Sequence, residues 1–348
     1  MILSNVNSKK STKCKTMRKN QLVSPPTISI AMATYNGEKY LPEQLASLRA
    51  QTTSPVELVV CDDMSSDNTF EILKEFAETS GIYVRAIRNE TRLGYKKNFI
   101  KAASLCSGDV VAFCDQDDIW LPEKLEILQR TFLDSDGLSL THDFSMFWTY
   151  RSETLPSYFE QLRLSGRSRA CNIKGCTMAY RRDLLDPFGW PDDAHGWAHD
   201  SWIALISAMQ QRREFIDMAL IKHRLHENNA SGWIMRANAF GRLLAWFPQR
   251  EISSKELGEL ISVTINEKNI DSALKLAHEE NVPLNERQRS VLISFLEKRK
   301  CLLKFRNDGR YKNSLWRLAG SLLLLISGKY ARGDGFRAFA SDVLARSA

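Results

Sequence analysis

Four short apolar runs, at 27–33, 56–61, 83–87 and 110–114, recur along the first third of the chain, and the stretches between them carry apolar residues at helical spacing. Runs of five to seven residues are too short for helices and too apolar for strands wetted on one face. The alternation predicts strands buried on both sides, joined by helices over 38–51, 68–79 and 95–105. Strand-helix alternation of this kind builds an α/β domain: a mostly parallel, Rossmann-like central sheet with helices on both faces.

Beyond residue 120 the pattern loosens. The segments 138–148 and 174–180 read as further strands, and 199–210 reads as a helix with Asp200 in its first turn. From 233 onward the periodicity is helical throughout. The chain therefore divides into a basic tail over 1–25, an α/β domain over 26–232 and a helical region over 233–348. A length of 348 residues is ample for this division. The helical region is expected to pack on the α/β domain, since no low-complexity linker separates them.

Charge is distributed unevenly. The net charge of +7 comes from the two ends, because residues 1–20 hold six Lys or Arg and no acid, and 299–348 hold eleven basic residues against three acids. The body between them is acidic. Such a chain does not suit a nucleic-acid groove, whereas basic ends suit contact with an anionic surface. The seven cysteines include no CxxC pair, which favours buried, reduced thiols in a cytoplasmic protein over a disulfide frame or zinc site. The most apolar stretch, 318–326, is too short to span a bilayer, and no apolar segment follows the N-terminal lysines as a secretory signal requires.

The chemistry gathers where the strands end. After the first strand come Ala33, Thr34, Tyr35 and Asn36; after the second, Asp62 and Asp63; after the fourth, Asp115, Gln116, Asp117 and Asp118. Ligands of open α/β sheets bind beyond the carboxyl ends of the strands. A cluster of acids there is self-repelling unless a cation joins it, so Asp115 and Asp117 read as ligands of Mg²⁺ or Mn²⁺ carrying a diphosphate. The alternative is local: Asp117 and Asp118 cap the next helix, with Pro122 in its first turn. The chain has neither a P-loop nor a GxGxxG turn, so a glycine cradle does not hold the phosphates.

These segments resemble one family. Ile30 to Gly37, Val60 to Thr69, Asn89 to Asn98, and Asp115-Gln116-Asp117-Asp118-Ile119-Trp120-Leu121-Pro122 are together similar to the glycosyltransferase family 2 enzymes of the GT-A fold, over about 26–232. The resemblance implies that Ala33, Tyr35 and Asp63 line a base pocket with Asp62 beside it. It places Arg92, Lys97 and Asn98 near a nucleotide-sugar donor, Asp115 on the ribose and metal, and Asp117 on the metal and diphosphate. It makes Asp200 the base of an inverting transfer. The segment from His223 to Gly232 resembles a loop closing over the donor, with Arg224 on the diphosphate and His226 on the metal. Trp190, Trp197 and Trp233 are candidates for stacking on sugar rings. One departure stands out: Met64 occupies a turn position where relatives carry glycine.

The resemblance implies a donor of dTDP-rhamnose or UDP-hexose, since the DQDDIW form of the acidic motif is most similar to bacterial rhamnosyltransferases. It implies a glycan or polyprenyl-linked glycan acceptor in surface-polysaccharide or lipopolysaccharide (O-antigen) synthesis. Trp316, Leu318, Leu322 and Leu323, with Arg317, Lys329 and Arg332 around them, suit either a helix docked on the inner membrane surface or a core helix. Two other readings remain open from sequence: a nucleotidyltransferase, and a non-catalytic nucleotide-binding protein at the membrane.

Overall fold

The structure is a computed structural model that describes residues 24–149, 155–191, 196–226, 257, 260–261, 263–280 and 282–307. Its elements run β1 (Ile28–Thr34), α1 (Leu41–Arg49), β2 (Glu57–Asp62), α2 (Thr69–Thr79), β3 (Val84–Arg88), α3 (Tyr95–Ser104), β4 (Val110–Cys114), β5 (Ile119–Trp120), α4 (Lys124–Asp134), β6 (Ser139–Trp148), α5 (Tyr158–Leu164), β7 (Met178–Arg181), α6 (His199–Met209), β8 (Arg213–Leu225), α7 (Ile270–His278) and α8 (Glu286–Asn307). The strands form one eight-stranded sheet in the order β3-β2-β1-β4-β7-β6-β8-β5.

The parallel expectation holds for the first half, where β3, β2, β1 and β4 run together. The second half is mixed. β7 lies antiparallel to both β4 and β6, β8 runs parallel to β6 with bulges near His142 and Asp143, and β5 pairs antiparallel with β8. Neither β8 nor α5 stands out in the sequence. The burial along β8 is irregular rather than alternating, so the period-2 signal of a strand is absent.

Both faces of the sheet are covered, and β1 shows why. Ile30 and Met32 point to one side, where Leu41, Leu45 and Leu48 of α1, Leu73 and Phe76 of α2, and Leu125, Leu128 and Phe132 of α4 pack on them. Ala31 points to the other side, into a core with Phe113 of β4, Phe99 and Ala102 of α3, and Trp202, Ile203 and Ile206 of α6. Helix α1 places its leucines at i, i+4 and i+7, one apolar stripe. Phe113 is fully buried, and truncating such a side chain costs about 3–5 kcal/mol.

The helical region packs as expected where it is described. Ala273, Leu274 and Ala277 of α7 and Leu292 and Leu296 of α8 join the α6 side of the core. The basic tail, the closing loop beyond His226 with Trp233, and the apolar basic segment near 316–332 lie outside the described residues. Cys61, Cys106, Cys114 and Cys176 are buried thiols. No helix among the described residues is long and apolar enough to cross a membrane.

Candidate active site

The strand order locates the site. β1 lies between β2, reached by the first crossover, and β4, reached after β3. The chain thus departs in opposite directions from β1 and β4, and a crevice opens between their carboxyl ends. A cavity of about 420 Å³ fills it, lined among others by Ala33, Tyr35, Asp63, Arg92, Tyr95, Asn98, Asp115, Asp117, Lys174, Gly175, His199 and Asp200. A second cavity of about 640 Å³ shares the wall of Tyr35, Gln116 and Asp117 and is lined also by Tyr40 and His226.

On the base-pocket side, the Arg92 guanidinium lies 3.9 Å from the Tyr35 ring centroid. Asp63 holds the loop that carries Arg92, accepting from Asn89 Nδ2 (3.0 Å), Leu93 N (2.6 Å) and Gly94 N (2.8 Å). Asn98 is buried and donates to the Cys61 carbonyl at 2.7 Å, so it braces the strand end that it also lines. Two expected donor contacts are placed elsewhere. Asp62 is fully buried and accepts from Thr34 Oγ1 (2.9 Å), Ser65 N (3.0 Å) and Ser65 Oγ, which makes it a staple between β1, β2 and the following turn. Lys97 is exposed on α3, outside the lining of the cavity. The turn itself is the one glycine would favour: Met64 keeps a left-handed φ of 63°.

Gln116, the middle residue of the acidic motif, was not foreseen. Its side chain brackets the Tyr35 backbone, accepting from Tyr35 N at 2.9 Å and donating to Tyr35 O at 3.1 Å. Gly37 makes room for it, since an ideal Cβ there would fall 2.7 Å from Gln116 Cδ and nearer still to Oε1. The Tyr-Asn-Gly turn after β1 and the acidic loop after β4 are therefore one interlocked unit.

The carboxylates of Asp115, Asp117 and Asp118 come within 4.8 Å of one another. Like charges that close repel by roughly 3–4 kcal/mol per pair at an effective dielectric near 20. Burial, with Asp118 and Asp117 adding to it, pushes the Asp115 carboxyl up to about 7. Asp118 goes the other way. Burial alone would raise it, but His223, whose Nδ1 lies 2.7 Å from Oδ1, outweighs burial and holds it below the usual range. The same pairing lifts His223 above its ordinary value against the effect of burial. Asp118 does not cap the next helix, which begins at Lys124 with Glu123 as its N-cap. A buried pair with His223 binds it more strongly than an exposed cap would.

The arrangement fits a divalent cation. All three acids offer hard oxygen donors, and Asp118 Oδ2 is buried without a hydrogen-bond partner among the described residues, a state that costs stability unless something meets it. His226 Nε2 lies 2.9 Å from Asp117 Oδ2 on the same wall, which places an imidazole beside the carboxylates. Arg224 differs from expectation. It sits behind the acidic loop, almost fully buried, donating from Nε to the Asp117 carbonyl at 2.9 Å and pairing with Glu43, so it clamps the loop and does not line the cavity.

Asp200 lines the same cavity from the first turn of α6. Its Oδ1 accepts from Ser201 N (2.6 Å) and Ser201 Oγ (3.2 Å), while Oδ2 carries no hydrogen bond among the described residues. The Asp200 charge raises the neighbouring Tyr95 phenol, adding to the effect of burial. His199 is buried against Phe99, with ring centroids 4.3 Å apart, and burial holds it in the neutral form below the usual range. Trp197 is buried against Trp202, and Trp190 packs edge-on to Tyr180, so both serve the core rather than a sugar.

The switch-point crevice, the acidic loop after β4 and the mixed second half of the sheet define the GT-A fold. The solved structure of Staphylococcus aureus TarS 1–349, in complex with UDP-GlcNAc, matches with a TM-score of 0.56 at 19% identity, over 92% of this chain and 91% of that one. Residues 29–189 match the sequence model of glycosyl transferase family 2. Over these residues the chain carries a glycosyltransferase family 2 domain. Among curated relatives, the Escherichia coli UDP-Glc:α-D-GlcNAc-diphosphoundecaprenol β-1,3-glucosyltransferase WfgD is 28% identical over 208 residues, 59% of this chain and 79% of that protein. The Shigella flexneri dTDP-rhamnosyl transferase RfbG is 37% identical over 99 residues, 27% of this chain and 34% of that protein. The chain spans between 31% and 79% of the length of the curated relatives it matches.

Proposed function

We propose that this chain is an inverting, metal-dependent glycosyltransferase. It moves a sugar from a nucleoside-diphosphate donor, dTDP-rhamnose or a UDP-hexose, to a glycan or lipid-linked glycan acceptor in cell-surface polysaccharide synthesis. The observation that carries this reading is the single cavity in which Tyr35 and Arg92, the acidic loop, and Asp200 meet. The names of WfgD and RfbG support the donor and acceptor classes. The charged ends of the chain support work at the inner face of a membrane.

Each group has a distinct task. Tyr35 and Arg92 offer flat faces for a nucleobase, Tyr35 on the turn that Gln116 brackets and Arg92 on the loop that Asp63 holds. Asp115 and Asp117, with His226 beside them and Asp118 completing the cluster, would hold Mg²⁺ or Mn²⁺; an imidazole in the set favours Mn²⁺. Such an ion supplies Lewis-acid neutralisation of a diphosphate leaving group. Asp200, fixed by Ser201 through Oδ1, takes the proton of the attacking acceptor hydroxyl on Oδ2.

Replacing Asp200 with Asn tests the assignment. The variant is expected to bind donor as the wild type does and to lose transfer by roughly 100-fold or more, the scale of general-base catalysis. Full turnover in the variant would refute the role of Asp200. Unchanged donor binding with no turnover even in the wild type would favour a non-catalytic nucleotide-binding protein.

A further inference from the structure

Lys174 lines the cavity beside Gly175, and its backbone is mounted with unusual care. Asn172 and Thr177 are fully buried. Asn172 Oδ1 accepts from Lys174 N at 3.1 Å, Asn172 Nδ2 donates to Thr177 Oγ1 at 3.1 Å, and the Lys174 carbonyl accepts from Thr177 N at 3.0 Å and Thr177 Oγ1 at 2.8 Å. A second bond from Asn172 Nδ2, to the His142 carbonyl at 3.2 Å, ties the turn to β6. Buried polar groups satisfied in this way set a rigid geometry. The turn places Lys174 and Gly175 on the cavity wall.

Lys174 shares the cavity lining with Asp115, Asp117 and His223, and its charge acts on His223 and on the Cys176 thiol. Arg92, the other permanent cation of the lining, is stacked on Tyr35 at the base-pocket side. Transfer breaks the bond between the anomeric carbon and the diphosphate oxygen, and the electron pair stays on that oxygen. The acceptor oxygen bonds to the anomeric carbon, and its proton goes to Asp200. Negative charge therefore grows on the diphosphate during the step, and a cation that reaches it stabilises it.

Resting on the proposed transferase reading, we propose that Lys174 binds the phosphoryl oxygens of a diphosphate in the active site. Two substrates carry that chemistry: the nucleotide donor and an acceptor sugar linked through diphosphate to a lipid.

The test uses the full chain with Mn²⁺ and the variants Lys174→Met and Lys174→Arg. Calorimetry with UMP and UDP, and with dTMP and dTDP, measures how much the second phosphate adds to binding. A diphosphate contact from the donor makes Lys174→Met weaken the diphosphate roughly 10- to 100-fold and the monophosphate much less, with Lys174→Arg partly restoring it. A contact from the acceptor leaves nucleotide binding unchanged and raises KM for an alkyl-diphosphate-linked GlcNAc by the same factor. Either pattern supports the proposal and names the source. Unchanged diphosphate affinity together with unchanged acceptor KM overturns it, as does a uniform loss for mono- and diphosphate that tracks a loss of thermal stability. A wild type that binds none of these nucleotides defeats the transferase reading and this inference with it, whereas an active wild type with an indifferent Lys174→Met defeats only this inference.

Discussion

The interlock between Gly37 and Gln116 yields a quantitative test. In Gly37→Ala the new Cβ would sit 2.7 Å from Gln116 Cδ and closer to Oε1, inside any real contact distance, so the Gln116 side chain must leave. It takes with it the hydrogen bonds to Tyr35 N and O, at 2.9 and 3.1 Å. Each is worth about 0.5–1.5 kcal/mol net, so the substitution is expected to cost roughly 1–3 kcal/mol. No left-handed φ is required at Gly37. In a Gln116→Ala background the same substitution is therefore expected to be neutral, or stabilising by up to about 1 kcal/mol through the unfolded chain. Urea unfolding of the wild type, both single variants and the double variant gives the coupling energy directly. The reasoning fails if Gly37→Ala costs the same with and without Gln116. Donor affinity is expected to follow the coupling, since the bracket positions Tyr35.

Two further substitutions test the frame around the site. Met64 holds a φ of 63° and is half-exposed; relieving a left-handed L-residue recovers about 1–2 kcal/mol, and glycine's extra chain entropy takes back roughly half. Met64→Gly is therefore expected to raise the unfolding free energy by about 0.5–1 kcal/mol, and a drop in urea unfolding would contradict this. Glu57 is buried, which alone would raise its carboxyl, yet hydrogen bonds from Ser107 and Ser29 and the charge of Arg85 bring it below its ordinary value of 4.5. A folded-state value lowered in this way adds stability that is present above the unfolded value and is lost as pH falls through the folded one. The stability advantage of wild type over Glu57→Gln is expected to be constant near neutrality and to shrink on acidification below about pH 4.5; an advantage that stays level down to about pH 3 would refute the assignment.

Local pattern made the first half of the molecule legible. The strands β1, β2 and β4 announce themselves because a strand buried on both sides is an apolar run, and Asp115 and Asp117 follow because they come directly after β4. The half-buried β3 is weaker in the sequence, and Asp200, in the first turn of α6, is reached only through the family resemblance. What stayed hidden depends on pairing across long sequence distance. Nothing near Asp118 signals that His223, 105 residues away, neutralises it, and nothing near Asp62 signals that Thr34 consumes its oxygen. Arg224 carries a charge suited to a diphosphate, but its surroundings in β8 turn it toward Glu43 and the back of the acidic loop. Gln116 had a faint signal in Gly37, a glycine without a positive φ, whose reason is close approach rather than backbone shape. Lys174 had none, because its mount is built from Asn172 and Thr177, residue types common in any turn.

The claim that the Asp115 to Asp118 cluster is a metal site for a nucleotide sugar is tested most directly by calorimetric titration of the full chain. UDP-glucose and dTDP-rhamnose are the titrants, with Mn²⁺ and after EDTA, for wild type and Asp117→Asn. Binding of at least one donor with Mn²⁺, weakened roughly 10-fold or more by EDTA and by the substitution, is the expected result. Equal affinity with and without the ion, in both proteins, would contradict it.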